Sequence, residues 1–430
     1  MVAAPGPSVL PVAPRVLLVL PTQTYRAQAF LDAAARAGID IVVASDAPST
    51  LAGLTPGREV VVDLGSPAEA GGRAAEFARE HPVDGVVGVD ESSVLTAAHV
   101  AERLGLPHHP VAAVADTRDK RRLRAQFEAA RLPQPRWAAL LTDAGAAELA
   151  GAVDQVGGYP VVVKPVDLAA SRGVIRADGP AELAAAVERI DRLQTRLGCA
   201  WGGNARGHPL LVEEFVPGSE VAVEGIAVDG QVHVLAIFDK PEPLDGPFFS
   251  ETIYTTPSRH APATQAQLIA LTVAAATVLG LRDGPLHAEL RIPLAGPVLL
   301  EVAARSIGGL CSRTLRLGPG GTWSLEELIL RRAAGQPVAP DDLTRADGAS
   351  GVLMLPVLRP GRLRAVEGVE EASAVTGIDG VSISIPVGTE VEPLPEGDRY
   401  LGFVFARMPT PVEVEFALRR ARDRLRVIID

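Results

Sequence analysis

An alternation of short apolar runs with helical segments, beginning at Arg15, constrains the fold more than any other feature. The first cycle is the run RVLLVLP, a helical segment over 26–37 and the run IDIVVAS. The second cycle has VVVD at 60–63, a helix, the run VDGVVGVD and a helix over 92–105. Continuously apolar strands between amphipathic helices are typical of a parallel sheet that is covered on both faces. The sequence therefore predicts an α/β protein that opens with a Rossmann-like βαβ lobe.

The loop PTQTY after the first apolar run bears on the kind of ligand. It lacks the pattern G-x-G-x-x-G, whose glycines let the backbone approach the pyrophosphate of a dinucleotide. A dehydrogenase is therefore disfavoured.

Length and charge restrict the class of protein further. At 430 residues the chain is long enough for about three domains of ~150 residues each. Its formal net charge of −11 offers no diffuse positive field to attract nucleic acid or an acidic membrane surface. The two cysteines, Cys199 and Cys311, are too far apart for a Cys-x-x-Cys metal pair, so a reducing cytoplasm is expected.

The start of the chain and its apolar runs predict a soluble protein. The stretch over 1–14, MVAAPGPSVLPVAP, has no basic start and is broken by prolines, so it resembles a disordered tail more than a signal peptide. We expect charged residues, Gly or Pro to interrupt every apolar stretch before the ~20 residues that span a bilayer.

A different pattern begins after Pro110. A charged helix, RDKRRLRAQFEAARL over 118–132, precedes the strand VVVK, and a helix over 180–198 is expected to pack on a small sheet. The runs LLVEEFV, EVAVEGIAV and QVHVLAIF alternate as antiparallel strands do, and a helix follows near 265–279. The final ninety residues hold the runs VLMLPVL, VSISIPVG and YLGFVFA and a closing helix from Pro411.

The segment LHAELRIPLAGPVLLEVAAR carries the strongest chemical signal. With a turn centred on Ala295, Glu289 and Glu301 lie six positions away on either side and face each other across two strands. Like charges ~5 Å apart destabilise such a pairing unless a cation lies between them. Oxygen-only ligands suit Mg²⁺, which typically takes one or two carboxylates plus nucleotide phosphates.

Strand alternation divides the second of these strands into two faces. The polar face holds Glu301, Ala303 and Arg305, and the apolar face holds Val298, Leu300 and Val302. The alternative interpretation of the whole segment is a pair of solvated glutamates on an exposed ribbon.

Two lysines are candidates for binding phosphate. Lys164 ends a fully apolar strand and is expected to point into a site, whereas Lys120 lies on a charged helix, where most lysines are solvated. Ser171 and Gly173 follow in the loop LAASRGV, whose backbone N–H groups can approach phosphate oxygens closely. An ordinary turn explains this loop equally well.

The segment LLVEEFVPGSEVAVE joins two strands through a Pro-Gly turn. Its backbone can present groups to adenine, and Glu220 can present a carboxylate to ribose hydroxyls. On its own, the segment is equally an acidic hairpin.

Taken in order, RDK, VVVKP with ASRGV, VEEFVPGSE, HAE and EVAAR followed by SIGG resemble the ATP-grasp superfamily. The resemblance covers nearly the whole chain and implies an ATP-grasp fold, α/β overall with α+β grasp lobes. It implies an N-terminal domain over 15–112, an ATP-grasp domain over 113–337 and a C-terminal α+β domain over 338–430. The grasp domain would have a small lobe over about 113–212 and a large lobe from 213.

The resemblance also implies roles for the matched residues, with ATP and Mg²⁺ as cofactors and Mn²⁺ as the alternative ion. The residues that would bind phosphates are Lys120, Lys164 and the flap residues Ser171, Arg172 and Gly173. Those that would hold adenosine are Glu213, Glu214, Phe215, Val216 and Glu220. The metal ligands would be Glu289 and Glu301. The residues that would stabilise an acyl phosphate and a tetrahedral adduct are Arg305 and the turn Gly308-Gly309.

One position departs from the common family pattern. Many members have Asn two positions after the second metal glutamate, and this chain has Ala303, which leaves one fewer protein ligand. The motif EVAAR is similar to that of the bacterial L-amino acid ligases, which make dipeptides. In that subgroup an acidic residue receives the substrate α-amino group, and Glu251 in FFSETIYTTPS is the candidate here. Arg305, Glu251 and Ser171 are therefore the catalytic candidates.

The implied function is an ATP-dependent carbon–nitrogen ligase that forms an amide or peptide bond through an acyl phosphate. Its partners would be a small-molecule carboxylate and an amine, with an L-amino acid as the carboxylate donor; a homodimer is left open. The alternatives are another ATP-grasp ligase or carboxylase acting on a purine precursor, and a nucleotide-binding protein without ligase activity. A binding protein has no use for the strained pair Glu289 and Glu301, which favours a ligase.

Overall fold

The chain divides into two compact units. The computed structural model describes residues 13–48, 57–199 and 207–430. The first unit comprises Met1–His108 and Glu326–Val338, and the second comprises His109–Leu325 and Ala339–Asp430. The predicted tail over 1–14 lies outside the described residues except for its last two positions. The division into three domains stays a prediction.

The first unit confirms the predicted parallel sheet. Its strands are β1 (Arg15–Val19), β2 (Asp40–Ser45), β3 (Glu59–Val61) and β4 (Gly85–Gly88), in the all-parallel order β3-β2-β1-β4. Its helices are α1 (Ala27–Ala37), α2 (Pro67–Glu80) and α3 (Val94–Leu104). Strand β1 is the centre of the core, with Val16 to Val19 fully buried. Gly38 ends α1 in the left-handed conformation that glycine adopts most readily.

Two helices begin the second unit, and the charged helix predicted over 118–132 corresponds to the second of them. They are α4 (Val111–Arg118) and α5 (Lys120–Ala129). Asp119 between them is extended, and its carboxylate accepts hydrogen bonds from the backbone N–H groups of Arg121 and Arg122. Aspartate at this position caps a helix N-terminus and so starts a new helix. As a result, Lys120 is the first residue of α5.

A small antiparallel sheet follows, as predicted. Its strands are β5 (Trp137–Leu141), β6 (Val161–Pro165), β7 (Ile175–Ala177) and β8 (Pro209–Glu214), in the order β5-β8-β6-β7. The helices α6 (Ala146–Val156) and α7 (Pro180–Arg196) contribute to its core. Leu183, Val187 and Ile190 of α7 are buried against the sheet, which confirms the predicted helix-on-sheet packing.

The largest sheet of the second unit has eight strands. Those from the middle of the chain are β9 (Ser219–Val228), β10 (Gln231–Lys240), β11 (Ile253–Thr256), β12 (Gly284–Ile292) and β13 (Val298–Ala303). Those from its final ninety residues are β14 (Ala349–Leu355), β16 (Ile378–Ile383) and β18 (Gly402–Met408). Because β11 pairs with β14, the sheet is continuous in the order β13-β12-β9-β10-β11-β14-β18-β16.

A fourth sheet of the described residues and four further α-helices lie outside the sheets given above. A three-stranded sheet has the order β17-β15-β19 and consists of β15 (Gly361–Glu367), β17 (Glu390–Val391) and β19 (Arg426–Ile429). The remaining helices are α8 (Pro262–Leu279), α9 (Leu325–Ala333), α10 (Val369–Ser373) and α11 (Pro411–Arg422).

Helix α8 is the segment that bears most on the expectation of a soluble protein; it begins at Pro262, and Gly280 follows its last residue. This 18-residue helix is long and apolar enough to cross a membrane by length and composition alone, and 28% of it is buried. Leu268, Ala275 and Leu279 on one side of α8 are buried. A helix that packs on the core of a soluble protein meets the same criteria, so this feature is weak evidence for a membrane span.

Candidate active site

The hairpin of β12 and β13 brings the two predicted metal ligands together. Glu289 pairs directly with Glu301 in the antiparallel register, which confirms the predicted opposition of the two carboxylates. Their side chains are 26% and 29% exposed, so both reach solvent from the same face of the sheet.

The predicted division of β13 into two faces is wrong at Leu300. The register shifts between Glu289 and Leu290, whose partners are Glu301 and Leu299, so Leu300 is an extra residue in a β-bulge. Leu299 is fully buried and Leu300 is half-buried. The strand also ends at Ala303, so Arg305 lies beyond it.

A cluster rich in positive charge lies next to this hairpin. Lys164 at the end of β6 has its Nζ 2.7 Å from Glu213, and Arg124 of α5 donates two hydrogen bonds, of 2.8 and 3.3 Å, to the same carboxylate. Lys120 donates to the Leu168 carbonyl oxygen at 2.6 Å and lies 3.8 Å from Glu301. We call Lys120, Arg124, Lys164 and Glu213 the cationic cluster.

Two opposing influences set the protonation of this cluster. Burial disfavours the charged form of Glu213, but Arg124 and Lys164 outweigh it and lower the pKa of this carboxyl to about 2. Burial also lowers the pKa of Lys164, and Arg124 and Lys120 lower it further, while Glu213 opposes the shift. Arg124 and Lys164 therefore share the carboxylate of Glu213, and with Lys120 nearby the excess positive charge suits an anion.

Arg124 is a member of this cluster that the sequence does not single out. It lies four positions after Lys120 on α5, and so on the same face of the helix. Its side chain is almost fully buried, and it also donates to the Leu300 carbonyl oxygen at 2.7 Å. The segment RDKRRLR contains four arginines, and composition alone does not distinguish the buried one.

The predicted phosphate flap is a tight turn. Ala170 and Ser171 both have positive φ, of 58° and 56°, and Gly173 has φ +69°. A Cβ atom on Gly173 would lie 2.9 Å from the Pro165 ring, so glycine is required there. Arg172 donates to the carboxylate of Asp398 at 3.1 Å, and the roles of Ser171, Arg172 and Gly173 towards ATP stay predictions.

The predicted adenosine segment is held mainly by Arg291 of β12. This guanidinium donates to the Val216 carbonyl oxygen at 2.8 Å and to Glu220 at 3.0 Å, and it lies 5.0 Å from the centre of the Phe215 ring. Glu214 is turned away to pair with Arg136 at 2.6 Å. The geometry thus fixes the backbone around Val216.

A cluster rich in negative charge surrounds Lys240, the last residue of β10. Its Nζ lies 2.6 Å from Glu251, 2.7 Å from Glu220 and 3.4 Å from Glu289, and the side chain is only 2% exposed. Tyr254 donates its hydroxyl to Glu251 at 2.5 Å. We call Glu220, Glu251 and Glu289, with Lys240, the acidic cluster.

The protonation of the acidic cluster differs from one carboxyl to the next. Burial disfavours charge on Glu289, but Lys240 and His287 outweigh it and hold the pKa of this carboxyl well below its usual value. Burial raises the pKa of Glu251, which Lys240 lowers and Glu289 raises further. Glu289 is therefore the firmly ionised member of the cluster.

Cross-strand pairs between β9 and β12 flank Glu289 on both sides. Arg291 pairs with Glu220, and His287 pairs with Glu224. Burial opposes protonation of His287, but Glu224 and Glu289 raise the pKa of this imidazole to about 9. The signal in the sequence is the alternation His287, Glu289, Arg291, which puts the three residues on one face of β12.

Glu224 connects the β12–β13 hairpin to the loop that carries Arg305. Its carboxylate accepts hydrogen bonds of 3.0 and 3.1 Å from the backbone N–H of Ile307. Gly309 has φ +62°, and a Cβ atom there would lie 3.0 Å from the ring of Phe403 in β18. The predicted substrate turn, Gly308-Gly309, is thus closely backed by a strand from the final ninety residues.

The donor chemistry of the hairpin fits a hard divalent cation. Glu289 and Glu301 offer oxygen atoms only, and carboxylates of Glu220, Glu251 and Glu289 approach within 4.8 Å of one another. Ala303, which replaces the family's asparagine, is buried and offers no side-chain donor.

Comparisons with known protein families match most of the segments that form this site. An ATP-grasp domain model matches residues 157–314, and an ATP-grasp N-terminal domain model matches residues 31–108. The chain therefore contains an ATP-grasp domain and an ATP-grasp N-terminal domain, in keeping with the predicted ATP-grasp fold. A model of the L-amino acid ligase C-terminal domain 2 matches residues 353–430, so the chain is similar to L-amino acid ligases in this last region as well.

Individual proteins to which the chain is similar include an L-amino acid ligase and two other enzymes. The crystal structure of an L-amino acid ligase from Bacillus licheniformis superposes with a TM-score of 0.81 at 25% identity, covering 97% of this chain and 99% of that one. Carnosine synthase 1 of Gallus gallus is 29% identical over 66% of this chain and 31% of its own length. Alanine–anticapsin ligase of Bacillus subtilis is 27% identical over 53% of this chain and 49% of its own length. The chain therefore spans only a third to a half of these two curated relatives.

Proposed function

We propose that this protein is an ATP-dependent carboxylate–amine ligase that forms ADP and joins an L-amino acid to an amine, within the acid–amino acid ligase class 6.3.2. The observation that carries the proposal is the meeting of the cationic and acidic clusters at the Glu289 and Glu301 pair. Lys120 of the cationic cluster is 3.8 Å from Glu301, and Lys240 of the acidic cluster is 3.4 Å from Glu289. A phosphate anion and a divalent cation fit side by side in such an arrangement.

The proposed reaction needs positioning and charge neutralisation more than acid–base chemistry. Lys120 and Lys164 bind the phosphates of ATP, and the segment around Val216 and Glu220 holds adenosine. The donor carboxylate attacks the γ-phosphate, which gives an acyl phosphate and ADP. The amine then displaces phosphate from the acyl carbon, and an amide bond forms.

Mg²⁺, or Mn²⁺ in its place, would be held by Glu289 and Glu301 and would neutralise charge on the phosphates. Arg305 stabilises charge that develops on the transferring phosphoryl group and on the tetrahedral adduct. Glu251 receives the α-amino group of the donor, because a buried ammonium needs an ionic partner. Both cysteines are free, in keeping with the cytoplasm as the expected compartment.

Two observations favour an amino-acid ligase over the alternatives. The match over residues 353–430 is to an L-amino acid ligase domain, and strands β14, β16 and β18 of that region join the sheet that carries Glu289. For a nucleotide-binding protein without activity, the combination of opposed glutamates, Lys120 and Arg305 would have no purpose.

The decisive experiment is a screen of amino-acid pairs for phosphate release from ATP, with mass analysis of the products. We expect a subset of pairs to give phosphate, ADP and a product whose mass equals the two substrates minus water. Reactions without ATP and with the Glu301→Gln variant serve as controls. Phosphate release that depends on no amino acid, from a protein that binds ATP, would reject the proposal.

A further inference from the structure

Lys240 occupies an unusual position among the buried lysines of this site. Its Nζ lies 2.6 to 3.4 Å from three different carboxylates, and the ring of Tyr254, 5.0 Å away, covers the ammonium on another side. An ammonium has three N–H donors, so one lysine can satisfy three acceptors at once. Lys164, a buried lysine one residue before the end of β6, has one carboxylate partner, Glu213.

Without Lys240 these carboxylates would form a typical site for a divalent cation. Oxygen atoms of Glu220, Glu251 and Glu289 all lie within 4.8 Å of one another. Three carboxylates at such distances are a common ligand set for a hard cation. Two other cations face the set, Arg291 on Glu220 and His287 on Glu289, and neither contacts all three carboxylates.

We propose that Lys240 is a built-in cation, which prevents Glu220, Glu251 and Glu289 from binding a divalent metal ion by themselves. Glu289 then binds metal only together with Glu301 and with the phosphates that a nucleotide brings. This inference rests on the proposed metal role of Glu289. Lys240 is a positioning residue in this scheme, because it acts through the carboxylates and not on the reacting atoms.

Metal binding without nucleotide tests the inference directly. Mn²⁺ is titrated into the full-length protein, free Mn²⁺ is measured by electron paramagnetic resonance, and thermal unfolding is followed with and without the ion. Wild-type protein should bind Mn²⁺ weakly and keep the same melting temperature. Lys240→Met should bind one Mn²⁺ at least about tenfold more tightly, because the uncompensated carboxylates attract a cation strongly, and Mn²⁺ should raise its melting temperature.

Two further variants locate the effect. Lys240→Met/Glu251→Gln removes one carboxylate of the set and should return Mn²⁺ affinity towards the wild-type value. Lys164→Met removes a buried lysine whose partner lies outside the set and should leave Mn²⁺ affinity unchanged. If Lys240→Met is unfolded without metal, the readout is refolding on addition of Mn²⁺.

The outcomes separate this inference from the proposed function. Tight Mn²⁺ binding by wild-type protein without nucleotide, equal affinities of wild type and Lys240→Met, or failure of Mn²⁺ to refold an unfolded variant would each overturn the role of Lys240. The proposed function fails on a different result, namely wild-type protein whose Mn²⁺ affinity does not increase when an ATP analogue is present.

Discussion

The cationic and acidic clusters are built from the same part, a buried lysine at the end of an apolar strand, yet they have opposite charge. Lys164 is the penultimate residue of β6 and shares the single carboxylate of Glu213 with Arg124, whereas Lys240 ends β10 among three carboxylates. The first arrangement leaves positive charge uncompensated and the second leaves negative charge uncompensated. A buried strand-end lysine therefore indicates a site, but its neighbours decide which ligand the site accepts.

This difference matches the two ligands of the proposed reaction. Phosphates need cations that are already held in place, and a metal ion and an α-amino group need carboxylates. The clusters meet at the β12–β13 hairpin, where Glu301 lies near Lys120 and Glu289 near Lys240. Changes to one cluster should therefore alter binding of one ligand type and leave the other largely intact.

The largest effect is expected from the hairpin glutamates that join the clusters. Glu289→Gln and Glu301→Gln should each lower Mg²⁺-dependent ADP formation at least about 100-fold, the order found when a preorganised electrostatic contact is lost. The fold should survive in both variants, which circular dichroism can verify. Glu390→Gln, which removes an exposed partner of Arg362, is the matched control. Full activity in both hairpin variants would reject the metal assignment.

Arg305 tests whether the loop that follows β13 acts on the transition state. Its guanidinium should stabilise charge that forms only during reaction, so Arg305→Ala should lower kcat about 100-fold or more and change ATP affinity far less. Steady-state kinetics and calorimetry with an ATP analogue measure the two effects. A variant with wild-type kcat would require abandoning this role.

Acid titration tests the compensation within the cationic cluster. The pKa of Glu213 is lowered from its ordinary value of 4.5 to about 2, so its ionised form stabilises the fold. That stabilisation is fully present above pH 4.5 and is lost as the pH falls towards 2; it is on the order of 3 kcal/mol. Denaturant unfolding of wild type and Glu213→Gln across this range should show a smaller pH dependence in the variant. Parallel curves would contradict the assignment.

Removal of Lys164 tests whether the cationic cluster binds the phosphates of ATP. Lys164→Ala should weaken ATP binding by about 1.5–3 kcal/mol, the usual range for hydrogen bonds to charged groups. The physical reason is that Arg124 remains paired with Glu213, so no free cation replaces the lysine. Calorimetry measures the affinity, and Arg196→Ala, which removes an exposed cation paired with Glu392, is the control. Unchanged ATP affinity would count against a phosphate role.

The smallest effect is expected at Glu251 on the substrate side. Glu251→Gln should raise the KM for the donor amino acid about tenfold, because the α-ammonium loses its ionic partner, and should leave ATP affinity close to wild type. Kinetics with the donor and with its des-amino analogue distinguish the role, since only the donor should be affected. An unchanged KM for every amino acid would exclude it.

Local periodicity made much of this molecule predictable. The apolar runs predicted the parallel sheet of the first unit, and the spacing about Ala295 predicted the register of Glu289 opposite Glu301. The bulge at Leu300 was not predictable, because period-2 alternation assumes a regular strand. The start of α5 at Lys120 had a local signal, because Asp119 before it is a residue type that caps helices. The high charge of the segment obscured that signal.

Lys240 could have been identified from the sequence by the rule applied to Lys164, namely that a lysine at the end of an apolar strand is expected to point into a site. It ends QVHVLAIFDK as Lys164 ends VVVK, and that pattern alone marks both lysines as candidates. Arg124 had no such signal, because it is one of several arginines in a charged helix.

The sequence by itself determined that Glu289 and Glu301 face each other and that His287, Glu289 and Arg291 share one face of β12. That information is local, since alternation along a strand depends only on backbone geometry. Only the tertiary structure decided which charges compensate one another. Arg124 and Glu213 are 89 positions apart, and Lys240 contacts carboxylates from three separate segments. Pairing of buried charges depends on distance in space, and sheet assembly sets that distance across long stretches of chain.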